Sequence, residues 1–413
     1  MQSSLNQYFL KGKQREIELL LRSGRREINS ESQERIRHLA ECEIDWEYFL
    51  AQGFRHRLVS ILYLNLKEIL ASVLPTDAFE ELKAHVVSNT QRNLLLSVDL
   101  LKVLNAFGDR DIKAVPFKGP VLAEAIYGDC GLREFGDLDI LVYEQDIASA
   151  FDLLESLEFQ PEIRLRREDL NAFARSNTSL PFIKEKDGVN LDVHWELTKR
   201  YVPCPFDLPA FDDRLEPGTL AGREVPILSS EDLLLYLCVH GALHVWNTID
   251  SIFCVGELVK CKPDMDWDRI ESRAGEMQCF RMTLLGLVLA HELAGTELPH
   301  SIRKSIQVDP KISKLTGPLY KSLFNDDDLN GLPESTISSK FDFFHLKVRD
   351  SLVDRVRYAF RLMTSPSREE WRLFNLHGSL SNLHFIIRPV RLLVMLGLSL
   401  MRRLLFGGGR IEV

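Results

Sequence analysis

At 413 residues, 45% hydrophobic and 27% charged, the chain is long enough for two or three subdomains and has the composition of an ordinary soluble protein. Its formal net charge of -9 excludes general nucleic-acid binding as an expectation, because such affinity rests on neutralising phosphates with Lys and Arg. Seven cysteines, no C-x-x-C pair and no secretory leader in the opening MQSSLNQYFLKGKQREIELL predict reduced thiols in a cytoplasm.

Taken in order, residues 1–110 carry apolar positions at helical spacing over Asn6 to Arg22, Glu31 to Ala40, Trp46 to Gly53 and a long Thr76 to Phe107 region, and are read as a helical N-terminal lobe. Arg92 and Asn93 on the last helix are read as part of a solvated face, with ligand contact as the alternative. Residues 111–200 are read as an α/β core. Ile112 to Phe117 is a short strand ending in Lys118-Gly119, and a helix follows with Pro120 at its first position, where a missing N–H costs nothing. A glycine at a strand-to-helix turn lets backbone approach a ligand, and the free amides of the helix start suit a phosphate, to which Lys118 adds charge.

The stretch FGDLDILV follows, and a strand of period two turns Asp137 and Asp139 to one face while Leu138 and Ile140 take the other. Adjacent carboxylates raise each other's pKa unless a cation neutralises them, and an oxygen-only pair favours a hard ion, Mg²⁺ or Mn²⁺, over zinc. Asp146 to Leu157 is the next helix, with a brief strand near Phe159. The four arginines of residues 163–175 are read as solvated. Two strands, LPFIK and LDVHW, flank Asp187-Gly188, a strong turn dipeptide. On the second of them Asp192, His194 and Glu196 share a face, so Asp192 can join the Asp137 and Asp139 pair if the strands are neighbours.

The combination FKG, Tyr127, Arg133 with GDLDILV, then LDVHW resembles the uncharacterised nucleotidyltransferase family of the DNA polymerase β-type nucleotidyltransferase superfamily. The resemblance implies an α+β fold, a nucleotidyltransferase-like mixed β-sheet core flanked by helical N-terminal and C-terminal lobes. It also implies a metal-dependent transfer of a nucleoside monophosphate from an NTP to a hydroxyl of a small molecule, peptide or protein. The catalytic and metal residues would be Asp137, Asp139 and Asp192. Lys118, Gly119, Arg133 and His194 would contact the nucleotide, Arg133 alternatively forming a structural salt bridge. An aspartate usual in the family is replaced by Cys254. A competing reading is a noncatalytic module of the same fold that docks on a partner or membrane surface.

Residues 201–228 hold five prolines and are read as a linker, and residues 229–413 as a helical C-terminal lobe with a basic amphipathic tail. Ser229 and Ser230 are candidate N-caps for a helix running to Trp246. His240 and His244 share its face, at zinc-ligand spacing but with Gly241 where a metalloprotease has glutamate; hydrogen-bonded core histidines are the leading reading. Near the end, an uncharged run flanked by Arg388, Arg391, Arg402 and Arg403 is too short to span a bilayer. Packing on the protein's own core is the leading reading, with a peripheral membrane or partner contact through 388–406 as the alternative.

Overall fold

A computed structural model describes residues 8, 9, 11–70, 74–202, 206–324, 344–374, 376 and 378–394. The fold is α+β, as expected. Its five-stranded mixed sheet runs in the order β1-β2-β5-β4-β3, from β1 (Ala114–Pro116), β2 (Asp137–Val142), β3 (Gln160–Pro161), β4 (Ser179–Lys184) and β5 (Val189–His194). The chain divides into two units: Met1–Lys102, Pro116–Leu138 and Arg214–Gly331 form the first; Val103–Val115, Asp139–Asp213 and Leu332–Val413 form the second.

Strand β2 departs from the expected alternation. Leu138, Ile140, Leu141 and Val142 are all fully buried, and Asp139 is only 3% exposed. An interior strand covered on both faces reads as a continuous apolar run, which is why the polar-out pattern fails here. The hairpin is found where Asp187-Gly188 places it. β4 and β5 pair antiparallel from Ser179↔His194 to Lys184↔Val189, and the amides of Asp187 and Gly188 both donate to Lys184 O, with Gly188 at φ +66.

In the second unit aromatic side chains cluster beside the β4–β5 hairpin: Phe151 meets Phe182 of β4 and Trp195, which follows β5, and Phe173 meets Trp195 and Trp371. Trp195 is 1% exposed and donates its indole N–H to Asn177 O at 2.8 Å. The arginines of residues 163–175 are spent on surface pairs such as Arg167 with Asp152 and Arg166 with Glu168. Two further helices, Leu352–Thr364 and Arg368–Leu373, lie in this unit. Arg388 and Arg391 pair with Glu370, and Arg391 also with Glu369. Residues 395–413, including most of the uncharged run and the pair Arg402 and Arg403, lie outside the described residues, as do the first residues of the Asn6 to Arg22 region.

The first unit is mostly helical. Gln14–Ser23, Ser30–Ala40, Trp46–Arg55 and Val59–Ile69 precede the 33-residue helix Thr76–Gly108, whose end lies in the second unit. Within residues 201–228 the chain forms the short helix Leu208–Phe211, which belongs to the second unit, and, in the first, a hairpin, β6 (Glu216–Leu220) with β7 (Arg223–Ile227). Its two-residue turn puts Ala221 and Gly222 at positive φ, and the two-stranded ribbon pairs Pro217 with Pro226. Proline is tolerated there because both strands are edges. Ser229 caps the next helix, Ser230–Leu243, by accepting from Asp232 N. Gly241, which stands in place of a metalloprotease glutamate, has a packing reason: a Cβ there would lie 2.3 Å from the Trp246 ring. Among the described residues, six cysteines are free thiols and no helix is long and apolar enough to cross a membrane.

One buried histidine links three segments of this unit. His56 accepts from Ile249 N–H at Nδ1 (3.3 Å), leaving Nε2–H to donate to Leu323 O (3.1 Å), so the ring is neutral. Burial, with Arg55 adjacent, pushes its pKa down to about 3. The unfolded chain therefore takes up a proton below about pH 6.5 that the folded chain refuses until about pH 3, and stability falls as pH drops through that window. At about 1.4 kcal/mol per unit, the parent should lose on the order of 2 kcal/mol more than His56→Gln between pH 7 and pH 5 in denaturant titrations. Equal losses in the two proteins would show that His56 is not the titrating group.

Candidate active site

Strands β2 and β5 are neighbours in the sheet, and this adjacency brings together residues far apart in the chain. Period two along β5 turns Asp192 and His194 to one face while Val189, Leu191 and Val193 are buried on the other. Asp139 comes from β2. One ligand atom from each of Asp139, Asp192 and His194 lies within 4.8 Å of the other two, and among the described residues this is the group of His, Cys, Asp and Glu able to hold a metal ion. His194 Nε2 is 3.0 Å from Asp139 Oδ1. Asp139 is buried, and Asp192 and His194 are partly exposed, so the group has a closed side and an open one.

The donor set fits a divalent cation. Two carboxylates this close need a compensating positive charge, and the imidazole can supply either an N–H to Asp139 or a ligand nitrogen. A carboxylate-rich set with one nitrogen donor suits Mn²⁺ at least as well as Mg²⁺. Sequence reasoning placed His194 with the nucleotide; the structure puts its ring against Asp139. His240 and His244, whose ring centroids are 4.4 Å apart, are not part of a metal-capable group among the described residues.

In the first unit, Asp137 is the exposed first residue of β2. Lys118 stands at the N-cap of the helix Gly119–Tyr127, with Pro120 in its first turn. Gly119 has φ +56, and a Cβ on it would sit 3.2 Å from Asp137 O, so both backbone conformation and close approach require glycine. The Lys118 ammonium lies 5.5 Å from the Tyr236 ring centroid and 5.6 Å from that of Phe117. Tyr236 in turn stacks on His240 with rings 12° from parallel.

Arg133 takes the structural alternative. Its Nη2 pairs with Asp250 Oδ2 at 3.3 Å and its Nε donates to Cys254 Sγ at 3.4 Å. Burial opposes the guanidinium's charge, but Asp250 and Cys254 more than offset that, so its pKa is raised. Burial pushes the Cys254 thiol up to about 12, with Asp250 adding to the effect. The carboxylate facing Arg133 is therefore supplied one helical turn before the cysteine.

The Arg92 and Asn93 pair divides. Arg92 is exposed, as expected, though its guanidinium donates to Phe135 O, whereas Asn93 departs from the solvated face: it is fully buried and donates to Cys130 O (2.7 Å) and Arg133 O (2.8 Å). Asn89, one turn earlier, donates to Gly131 O and Arg133 O. Together they fix the loop leading into β2. The available signal was two asparagines four apart, a spacing that stacks them on one face of the helix.

Acids from two neighbouring strands of the mixed five-stranded sheet converge at this site. Residues 42–295, well over half of the sequence, match the model of the family described as uncharacterised nucleotidyltransferase, and the chain belongs to that family. A search of curated proteins finds no match. Among solved structures, the solution structure of the antibiotic-resistance factor ANT(2'')-Ia is similar at 15% identity, over 49% of this chain and 98% of that one, with a TM-score of 0.30; a likeness so distant carries no argument.

Proposed function

We infer that the protein is a cytoplasmic, metal-dependent nucleotidyltransferase that moves a nucleoside monophosphate from an NTP to a hydroxyl of a small molecule, peptide or protein. The observation that carries this reading is the convergence of Asp139, Asp192 and His194, within 4.8 Å, on neighbouring strands of a chain from a nucleotidyltransferase family. In the reaction the acceptor oxygen attacks the α-phosphorus, the bond to the bridging oxygen breaks and pyrophosphate leaves. When bound, Mg²⁺ or Mn²⁺ would supply charge neutralisation at the phosphates and a lowered pKa for the acceptor hydroxyl.

Asp139 and Asp192 would hold the cation; Asp137, the exposed first residue of β2, is not in the group within ligand distance. Asp192, on the open side, also stands to take the acceptor's proton. His194 orients the Asp139 carboxylate. The Lys118-Gly119 turn receives the β and γ phosphates on the amides of the helix start, with the ammonium as counter-charge. Arg133 acts at a distance from the nucleotide, fixing the loop before β2 through Asp250. Contact of 388–406 with a membrane or partner stays compatible with this chemistry but supplies none of it.

The test is which product leaves. Incubation with Mn²⁺, α-labelled NTP and cell extract should release pyrophosphate and label an acceptor; formation of labelled NDP with no labelled acceptor would replace nucleotidyl transfer with γ-phosphoryl transfer. Separately, Lys118→Ala should weaken binding of a nonhydrolysable NTP about tenfold, the loss of one charge-assisted contact. Unchanged affinity would remove Lys118 from the phosphate site.

A further inference from the structure

The helix Leu352–Thr364 presents an apolar stripe outward. Leu352 is 73% exposed, Val353 59%, Val356 61%, Phe360 61% and Met363 51%. At about 100° per residue these five side chains fall within an arc of about 100°. The opposite side is anchored in the fold by Asp354 and Tyr358, both buried, with Tyr358 under the guanidinium of Arg349. Arg355 and Arg357 border the stripe on its two sides, and the one acid of the helix, Asp354, points inward. A continuous apolar stripe turned outward on a helix already packed on its other face, and bordered by arginines, is a candidate contact surface.

We propose that this face docks on an anionic phospholipid surface, the five apolar side chains entering the acyl boundary and the flanking arginines meeting headgroup phosphates. Charge decides between lipid and a second copy of the chain. In a symmetric dimer the same patch meets itself, so arginine borders would face arginine borders, whereas an anionic surface complements both at once. Area agrees: a 13-residue helix face is about 20 Å long and covers about 200 Å², far below the roughly 800 Å² per partner of a stable protein interface. The formal net charge of -9 does not oppose docking, because exposed charges more than about 10 Å from the membrane are screened at physiological salt. The site differs from the 388–406 segment, whose Arg388 and Arg391 are already held by Glu369 and Glu370.

Co-sedimentation of the full chain with phosphatidylcholine vesicles, with and without phosphatidylglycerol, tests this. Binding should require phosphatidylglycerol, weaken with added salt and fall at least about tenfold in Phe360→Glu and in Val356→Glu, with unchanged melting temperatures because both positions face solvent. Arg357→Glu should reduce it as well. The proposal is overturned if the parent stays in the supernatant, or if both glutamate variants bind like the parent. It is equally overturned if sedimentation shows a parent dimer that Phe360→Glu dissolves, which would make a second copy the occupant.

Discussion

Asp139→Asn should slow pyrophosphate release by about a thousandfold or more, equivalent to about 4 kcal/mol of transition-state stabilisation. The substitution keeps the side chain's size and removes only its charge, at a position 3% exposed and within ligand distance of Asp192 and His194. Since His194 can still bond an amide oxygen, the melting temperature in the absence of metal should stay close to the parent's. A fall in activity with an unchanged fold would place the loss in the chemistry. Activity within tenfold of the parent would mean that the buried acid serves packing alone, and that the family fold is used here for something other than catalysis.

Asp232→Ala should cost about 3–5 kcal/mol, the largest single-site effect on stability anticipated for the first unit. Asp232 is 1% exposed and accepts from Arg214 Nε at 3.0 Å, from Ser229 Oγ at 3.0 Å and from Arg273 Nη1. Truncation strands two partly buried guanidiniums that no longer have an acid between them and frees the Ser229 cap from its partner. Asp232→Asn retains one acceptor oxygen and should cost roughly half as much. Urea titrations of the three proteins measure this, and a loss below about 1 kcal/mol for the alanine variant would show that water replaces the carboxylate freely.

What the sequence made legible was local periodicity and turn chemistry. The period-two strand carrying Asp192 and His194, the Asp187-Gly188 hairpin, the Ser229 cap and the individual helices all follow from short-range rules that hold whatever the tertiary setting. The D-x-D stretch was found for the same reason, but its surroundings were not: continuous burial of Leu138 to Val142 depends on β2 lying inside the sheet, a long-range fact. His194 was recognised as a site residue, while its partnership with Asp139 needed the strand order. The tie from Asn89 and Asn93 to the loop of Cys130 to Arg133 was illegible because sequence alone cannot say which face of a long helix another segment covers. The choice of Asp250 for Arg133 likewise depends on how the helix Ile249–Cys261 is rotated against that loop.

The central claim is that Asp139, Asp192 and His194 form a divalent cation site. Titrating Mn²⁺ into the parent and into Asp192→Asn, with free ion followed by electron paramagnetic resonance, tests it without any acceptor being known. Saturable Mn²⁺ binding by the parent that is lost in Asp192→Asn is the predicted result; no binding by the parent, or equal binding by both proteins, would contradict it.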